Sequence, residues 1–223
     1  MAEAASPTIG ELAANRAALY RWFAQAFFEP PSLEYLHALQ KGEMEKLLQS
    51  LAAFPEAKSG VAAMEWALSD GPAEQVVSTL GAAFVRIFDG LGGPQIAPPY
   101  RSFYENDQGL LCQQATEEMN RVLHQHRMRL ADAVHEPSDH LAIQLELMAQ
   151  LALRLAEAAA SAQPPSAPLL AEQLDFLATH LLGWVPRFVE RLALVDSTGY
   201  YAGLAAVLQS FLEEDRAYLA SEV

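Results

Sequence analysis

A single cysteine, Cys112, stands in a chain of 223 residues. That excludes an internal disulfide framework and a zinc site built from cysteines. β-Branched residues are sparse and no stretch alternates apolar with polar residues, so a sheet is not expected. No apolar run approaches the ~18 residues of a membrane-crossing helix. Met1 to Gly10 lacks the basic head and apolar stretch of a secretory signal. There is no Gly-x-Ser-x-Gly elbow. The glycine-rich Gly90-Leu91-Gly92-Gly93-Pro94 has no Gly-Lys-Ser/Thr ending, so it reads as a break between helices rather than a phosphate cradle. Basic residues are scarce: Lys and Arg total 14 against 28 Asp and Glu, a net charge of −14. Such a surface repels nucleic-acid phosphate and anionic lipid and attracts a cationic peptide, although solubility alone also accounts for it. The expectation is a soluble cytoplasmic protein that binds no nucleic acid and does not insert stably into a membrane.

What the chain does have is Ala and Leu at helical spacing, with apolar residues at 52%. Helices are predicted over Thr8 to Phe28, Leu33 to Leu39, Met44 to Phe54 and Glu56 to Leu68, and from Pro72 to Phe88. Further helices are predicted over Ala115 to Val134, Pro137 to Ser161, Leu169 to Leu182, Trp184 to Leu194 and Gly199 to Ala220. Gln163 to Pro168 reads as a stiff linker. The fold class is therefore all-α, a single globular domain over 1–223 of about nine or ten helices packed ridges into grooves. No internal repeat is present.

Two stretches stand apart from this pattern. Between Asp89 and Gln108 the helical spacing fails over about twenty residues, a length usual for functional or disordered loops. Its aromatics, Tyr100, Phe103 and Tyr104, argue against disorder. The rigid segment Pro98-Pro99-Tyr100-Arg101-Ser102-Phe103-Tyr104 suits a peptide groove, because prolines lower the ordering cost and aromatics give large contact area. The same rings would equally pin the loop to the core. The second stretch is Glu136-Pro137-Ser138-Asp139-His140, placed before the amphipathic run Leu141, Leu145, Met148, Ala152 and Leu155. Pro137 fits the first turn of a helix, which puts Asp139 in that turn, where the exposed N–H groups favour a carboxylate. Glu136, Asp139 and His140 then gather at one end of a buried rod, either to recognise something or only to start the helix.

Other chemistries fit less well. A metal-dependent hydrolase built on His135, Asp139 and His140 is the enzyme alternative, but the helical zinc motif needs histidines four apart with Glu after the first. Here His135 and His140 are five apart, with Pro137 between them. His124 and His126 point to different helix faces. Cys112 and Ser102 have no catalytic partner at a recognisable spacing. A non-specific helical adaptor is the structural alternative.

Taken together, the stretches resemble the TorD/DmsD-like family of redox-enzyme maturation chaperones. Glu136-Pro137-Ser138-Asp139-His140-Leu141 is close to that family's Glu-Pro-x-Asp-His signature. Pro98-Pro99-Tyr100-Arg101-Ser102-Phe103-Tyr104 is close to its Pro-Pro-aromatic-x-Ser-x-aromatic signature. Phe27 to Ser32, Phe84 to Phe88, Gly93-Pro94, His180 to Trp184 and Phe211-Leu212 extend the likeness over most of the chain. The Gly-Pro element departs from the pattern, being spaced out as Phe88-Asp89-Gly90-Leu91-Gly92-Gly93-Pro94. The resemblance implies an all-α, non-catalytic cytoplasmic chaperone without a cofactor of its own. It would bind the twin-arginine signal peptide and the apo form of a molybdenum-cofactor oxidoreductase, assisting cofactor insertion before export. Some members form domain-swapped homodimers, and the segment near 131–137 is a plausible hinge. Carried over by position, Pro98, Pro99, Tyr100, Ser102, Tyr104, Glu136, Pro137, Asp139 and His140 would line the peptide-binding surface, with Trp184 beside it.

Overall fold

The structure is a computed structural model that describes residues 8–40, 47, 49, 51–54, 56–91, 93–105, 109–161 and 167–223. Helix α1 (Ile9–Phe28) opens on a capping box. The Thr8 hydroxyl accepts the Glu11 N–H at 3.2 Å, and the Glu11 carboxylate accepts the Thr8 N–H at 2.8 Å. It ends at Glu29, where Pro30 and Pro31 cannot continue it. Helix α2 (Leu33–Gln40) starts from Ser32, whose hydroxyl accepts the Tyr35 N–H at 3.1 Å. Helices α3 (Lys58–Ser69) and α4 (Ala73–Phe88) follow, then a short α5 (Arg101–Glu105) and α6 (Gln114–Gln125). Helices α7 (Leu141–Ala160), α8 (Ala167–Phe176), α9 (Val185–Val195) and α10 (Tyr200–Glu222) complete the chain, with a π-helical turn at Leu177–Leu181 joining α8 to the α9 approach. The expected all-α fold is what forms, with ten α-helices and no strand among the described residues.

Two helices form the axis. Helix α7 buries side chains all round, from Leu141 through Leu145, Met148 and Ala152 to Leu155. Each fully buried leucine of this kind stabilises the fold by roughly 2 kcal/mol. Helix α1 lies along it, presenting Ala13, Ala17, Tyr20, Phe23, Ala24 and Phe27. Helix α10 is the other axis and packs against α3 at a point where two glycines meet. A Cβ on Gly203 would stand 2.6 Å from the Gly60 carbonyl oxygen, so only glycine permits this approach. Between the axes an aromatic cluster joins α1, α4, α9 and α10: Phe88 meets Tyr201 edge-on at 5.2 Å, and Phe27 meets Phe188 at 5.6 Å.

Three elements differ from their sequence-predicted bounds. The helix predicted from Pro137 begins at Leu141 instead. Pro137 to His140 form a turn closed by the His140 N–H on the Pro137 carbonyl at 3.0 Å, and His140 is the cap, with extended backbone. The helix predicted to reach Val134 ends at Gln125, because Arg127 adopts a left-handed φ of 56° and turns the chain away. The segment predicted as loop contains α5, whose five residues follow directly on Tyr100. The helix predicted over Met44 to Phe54 and the linker Gln163 to Ser166 fall largely outside the described residues; Ala167 and Pro168 already belong to α8.

Candidate functional site

The proline-rich loop and the start of α7 meet in one place. Tyr100 and His140 form an isolated antiparallel bridge. The Leu141 N–H donates to the Pro99 carbonyl at 2.7 Å, and the Arg101 N–H donates to the Asp139 carbonyl at 3.2 Å. Side chains reinforce the joint. The Asp139 carboxylate accepts the Ser102 N–H at 2.9 Å and the Thr116 hydroxyl at 2.6 Å. The Ser138 hydroxyl donates to the Thr116 carbonyl at 2.9 Å. The Gln144 amide donates to the Asp139 carbonyl at 2.6 Å. Asp139 thus ties α5, α6 and α7 together, and its charge is met by donors rather than by a cation.

His140 is buried and neutral. Its Nδ1 accepts the Ala142 N–H at 3.1 Å, capping α7, so the proton sits on Nε2. Burial pushes its pKa down to about 4, against the pull of Glu136 and Asp139. The rings of Tyr100 and Phe28 pack edge-on against it at 4.9 and 5.9 Å. The Tyr100 hydroxyl donates to Glu136. Burial and that carboxylate raise the Tyr100 phenol far above its ordinary range. Asp89 lies close enough to Glu136 that burial and the neighbouring charge raise its pKa.

Deeper in, Tyr104 stacks on Trp184 with centroids 5.5 Å apart. The Trp184 indole donates to the His180 carbonyl at 2.8 Å and, at 3.4 Å, to Gln144. The π-helical turn places His180 so that its Nδ1 accepts from Arg101 at 2.8 Å, while Arg101 also pairs with Glu105 and, at 3.1 Å, with Glu118.

The sequence-predicted residues therefore converge, but mostly inside the protein. Pro98, Pro99, Ser102, Tyr104, Asp139, His140 and Trp184 are buried. Tyr100, Glu136 and Pro137 keep partial exposure. Asp139 is not in the first helical turn as expected; it precedes the cap and turns toward Ser102 and Thr116. His135 is exposed and does not join Asp139 and His140, and no group of three metal-binding side chains gathers among the described residues.

Beside this joint runs a cleft of about 530 Å³ between α1, α7 and the non-helical segment after α6. Phe28, Leu123, Met128, Val134, Ile143 and Leu147 line it, and an ion pair from Arg21 to Glu146 at 3.5 Å crosses from α1 to α7. Phe28 touches both the cleft and His140. Sequence reasoning missed this wall. Met128 and Val134 fall inside the helix predicted over Ala115 to Val134 and so read as part of a helix face, and Thr116 and Gln144 have no motif that marks them. No helix among the described residues is long and apolar enough to cross a membrane.

Comparison with known proteins gives the chain its relatives. Residues 43–190 match the family described as nitrate reductase delta subunit. A chaperone protein TorD of Vibrio cholerae is 32% identical over 203 residues, which is 91% of this chain and 90% of that protein. A chaperone protein TorD of Vibrio parahaemolyticus is 30% identical over 93% of this chain and 96% of its own length. One from a Psychrobacter species is 32% identical over 90% of each. These relatives are named chaperone proteins, in agreement with the non-catalytic role that the family resemblance implies. The chain belongs to the nitrate reductase delta subunit family, among its TorD chaperones.

Proposed function

We propose that this protein is a cytoplasmic chaperone that binds the twin-arginine signal peptide and the apo form of a molybdenum-cofactor oxidoreductase, assisting cofactor insertion before export. The observation that carries the reading is the apolar cleft set beside the Tyr100–His140 joint on a chain of net charge −14. A leader with a basic head and an apolar middle fits both features. The acidic surface steers the head, and the cleft buries the middle. Exposed acid–base pairs add only ~0–1 kcal/mol each, so most of the affinity comes from apolar burial at ~25 cal/mol per Å², less the ordering cost.

In this reading Tyr100 and Glu136 meet the peptide. Pro98, Pro99, Ser102, Tyr104, Pro137, Asp139, His140 and Trp184 hold them in place. The stretch from His126 to His140 is non-helical and links α6 to α7, which suits a hinge for a swapped homodimer.

The test is calorimetric titration with a synthetic twin-arginine leader peptide that carries a basic head and an apolar middle. Val134→Glu puts a charge at the cleft wall on a partly exposed residue, and the expected loss of affinity is tenfold or more. Unchanged affinity in a folded Val134→Glu protein overturns the reading.

A further inference from the structure

A second cavity, of about 280 Å³, lies on the adjoining face of α1, next to the cleft. Trp22, Tyr35 and Tyr200 wall it, with Pro30 and Pro31 at the turn into α2. Glu29 and Gln25 line both cavities, so they form the ridge between them. The Gln25 amide donates to one Glu29 carboxylate oxygen at 3.0 Å. Glu29 is exposed, and none of the ion pairs among the described residues uses it. Tyr200 is buried, and Trp22 and Tyr35 are half-buried. Burial raises the Tyr35 phenol, with Trp22 and Tyr200 beside it, so the wall stays neutral.

Three aromatic side chains and one carboxylate line this small cavity, with Trp22 and Tyr35 the more accessible of the rings. Such a lining suits a guanidinium or ammonium group, because aromatic rings attract cations and the Glu29 carboxylate balances the charge. An apolar or anionic side chain gains less there, because the carboxylate would lose water to it without a partner.

We infer that the Trp22–Tyr35–Tyr200 box with Glu29 is the subsite for a basic side chain of the bound leader, while the apolar stretch that follows lies in the cleft beyond the Gln25–Glu29 ridge. This rests on the leader-binding reading above and adds where the basic head sits. The arrangement matches the order of such a leader, since one ridge separates a place for charge from a place for apolar side chains.

The experiment compares two synthetic leaders, one with its arginine pair intact and one with both arginines replaced by citrulline, which keeps shape and removes charge. Each is titrated calorimetrically into the wild-type chain, Glu29→Gln, Trp22→Leu and Val134→Glu, with circular dichroism establishing that each variant is folded. The wild-type chain is expected to prefer the arginine leader by about tenfold. In Glu29→Gln and Trp22→Leu that preference should fall to about twofold or less, whereas Val134→Glu should weaken both leaders alike. In a Trp66→Phe background, which leaves Trp22 and the buried Trp184, the arginine leader should change the emission more than the citrulline leader does, and adding Trp22→Leu should abolish that difference. An undiminished preference in folded Glu29→Gln and Trp22→Leu, with both leaders still sensitive to Val134→Glu, overturns the subsite and leaves leader binding standing. Failure of the wild-type chain to bind either leader overturns leader binding itself, and the subsite with it.

Discussion

The Asp139 carboxylate accepts the main-chain N–H of Ser102 at 2.9 Å across 37 residues of sequence. Asp139 is fully buried and Ser102 nearly so. Neither residue faces solvent, yet between them they fix the loop that carries Tyr100 against the start of the central helix. A residue of the family motif thus works here through backbone it holds rather than through a surface it offers.

Asp139→Ala should therefore act on stability first. It removes the acceptor of a buried donor, the Ser102 N–H, and of a half-buried one, the Thr116 hydroxyl. Leaving them unpaired costs about 3 kcal/mol. Urea unfolding measures this. A conservative Thr116→Val removes one donor and no carboxylate, and should cost about 1 kcal/mol. If Asp139→Ala unfolds at the same urea concentration as the parent chain, the carboxylate does not hold the loop.

His140 gives the joint a pH dependence with a definite sign. Its folded pKa, lowered by burial to about 4, lies below the ordinary 6.5. The unfolded chain then binds the proton more readily, so stability is full above about 6.5 and is lost as pH falls toward 4. The loss sums to about 3 kcal/mol over that window. His140→Asn keeps an acceptor for the Ala142 N–H but does not titrate. Unfolding free energies measured at intervals between these pH values should fall less steeply in His140→Asn than in the parent chain. Equal slopes would mean that His140 is not held neutral.

Much of this was legible beforehand, and the exceptions have physical causes. Most helices lie close to their predicted bounds, with Pro72 before one start and Pro30 and Pro31 beyond one stop. The start of α7 was misplaced because Pro137 suits a first helical turn and a tight turn equally well. The choice is made by Pro99 and Tyr100, whose backbone claims the Leu141 N–H and the flanking ladder from far away in sequence. The end of α6 was misplaced because Leu130 continues the apolar pattern, while the break is a left-handed Arg127, which no glycine or proline marks. The joint between the two motifs came from family likeness, not periodicity. The cleft and the aromatic box could come from neither, since each is assembled from separate elements whose residues read individually as core.

The glycine contact between α3 and α10 makes a paired prediction. In Gly203→Ala the new methyl would sit 2.6 Å from the Gly60 carbonyl oxygen and 3.2 Å from Met64, so the helices must separate. The gain of ~1 kcal/mol in helix propensity is outweighed by an overpacking cost of about 3 kcal/mol. Gly81, inside α4, has nothing within 4 Å of the corresponding position. Gly81→Ala should therefore stabilise by up to about 1 kcal/mol. Thermal unfolding of the two variants should shift in opposite directions. A shift in the same direction would show that the crossing tolerates a side chain.

The buried pair that links the chain's two ends makes the last prediction. Arg16 on α1 holds Asp215 on α10 through two nitrogens, one of them at 2.9 Å, and the Tyr20 hydroxyl donates to the same carboxylate at 2.6 Å. Arg16 also lies over the Tyr218 ring at 5.4 Å. Its remaining nitrogen, Nη1, is buried with no hydrogen-bond partner among the described residues. That makes the pair costly to break yet of little net benefit when intact. Asp215→Ala strands a buried guanidinium and should destabilise the chain by about 4 kcal/mol. The double variant Arg16→Met with Asp215→Leu removes both charges and keeps the volume, and should lie within about 1 kcal/mol of the parent chain. Urea unfolding of the single and double variants decides the point: if the double variant falls as far as Asp215→Ala, the pair supplies stability that apolar packing cannot replace.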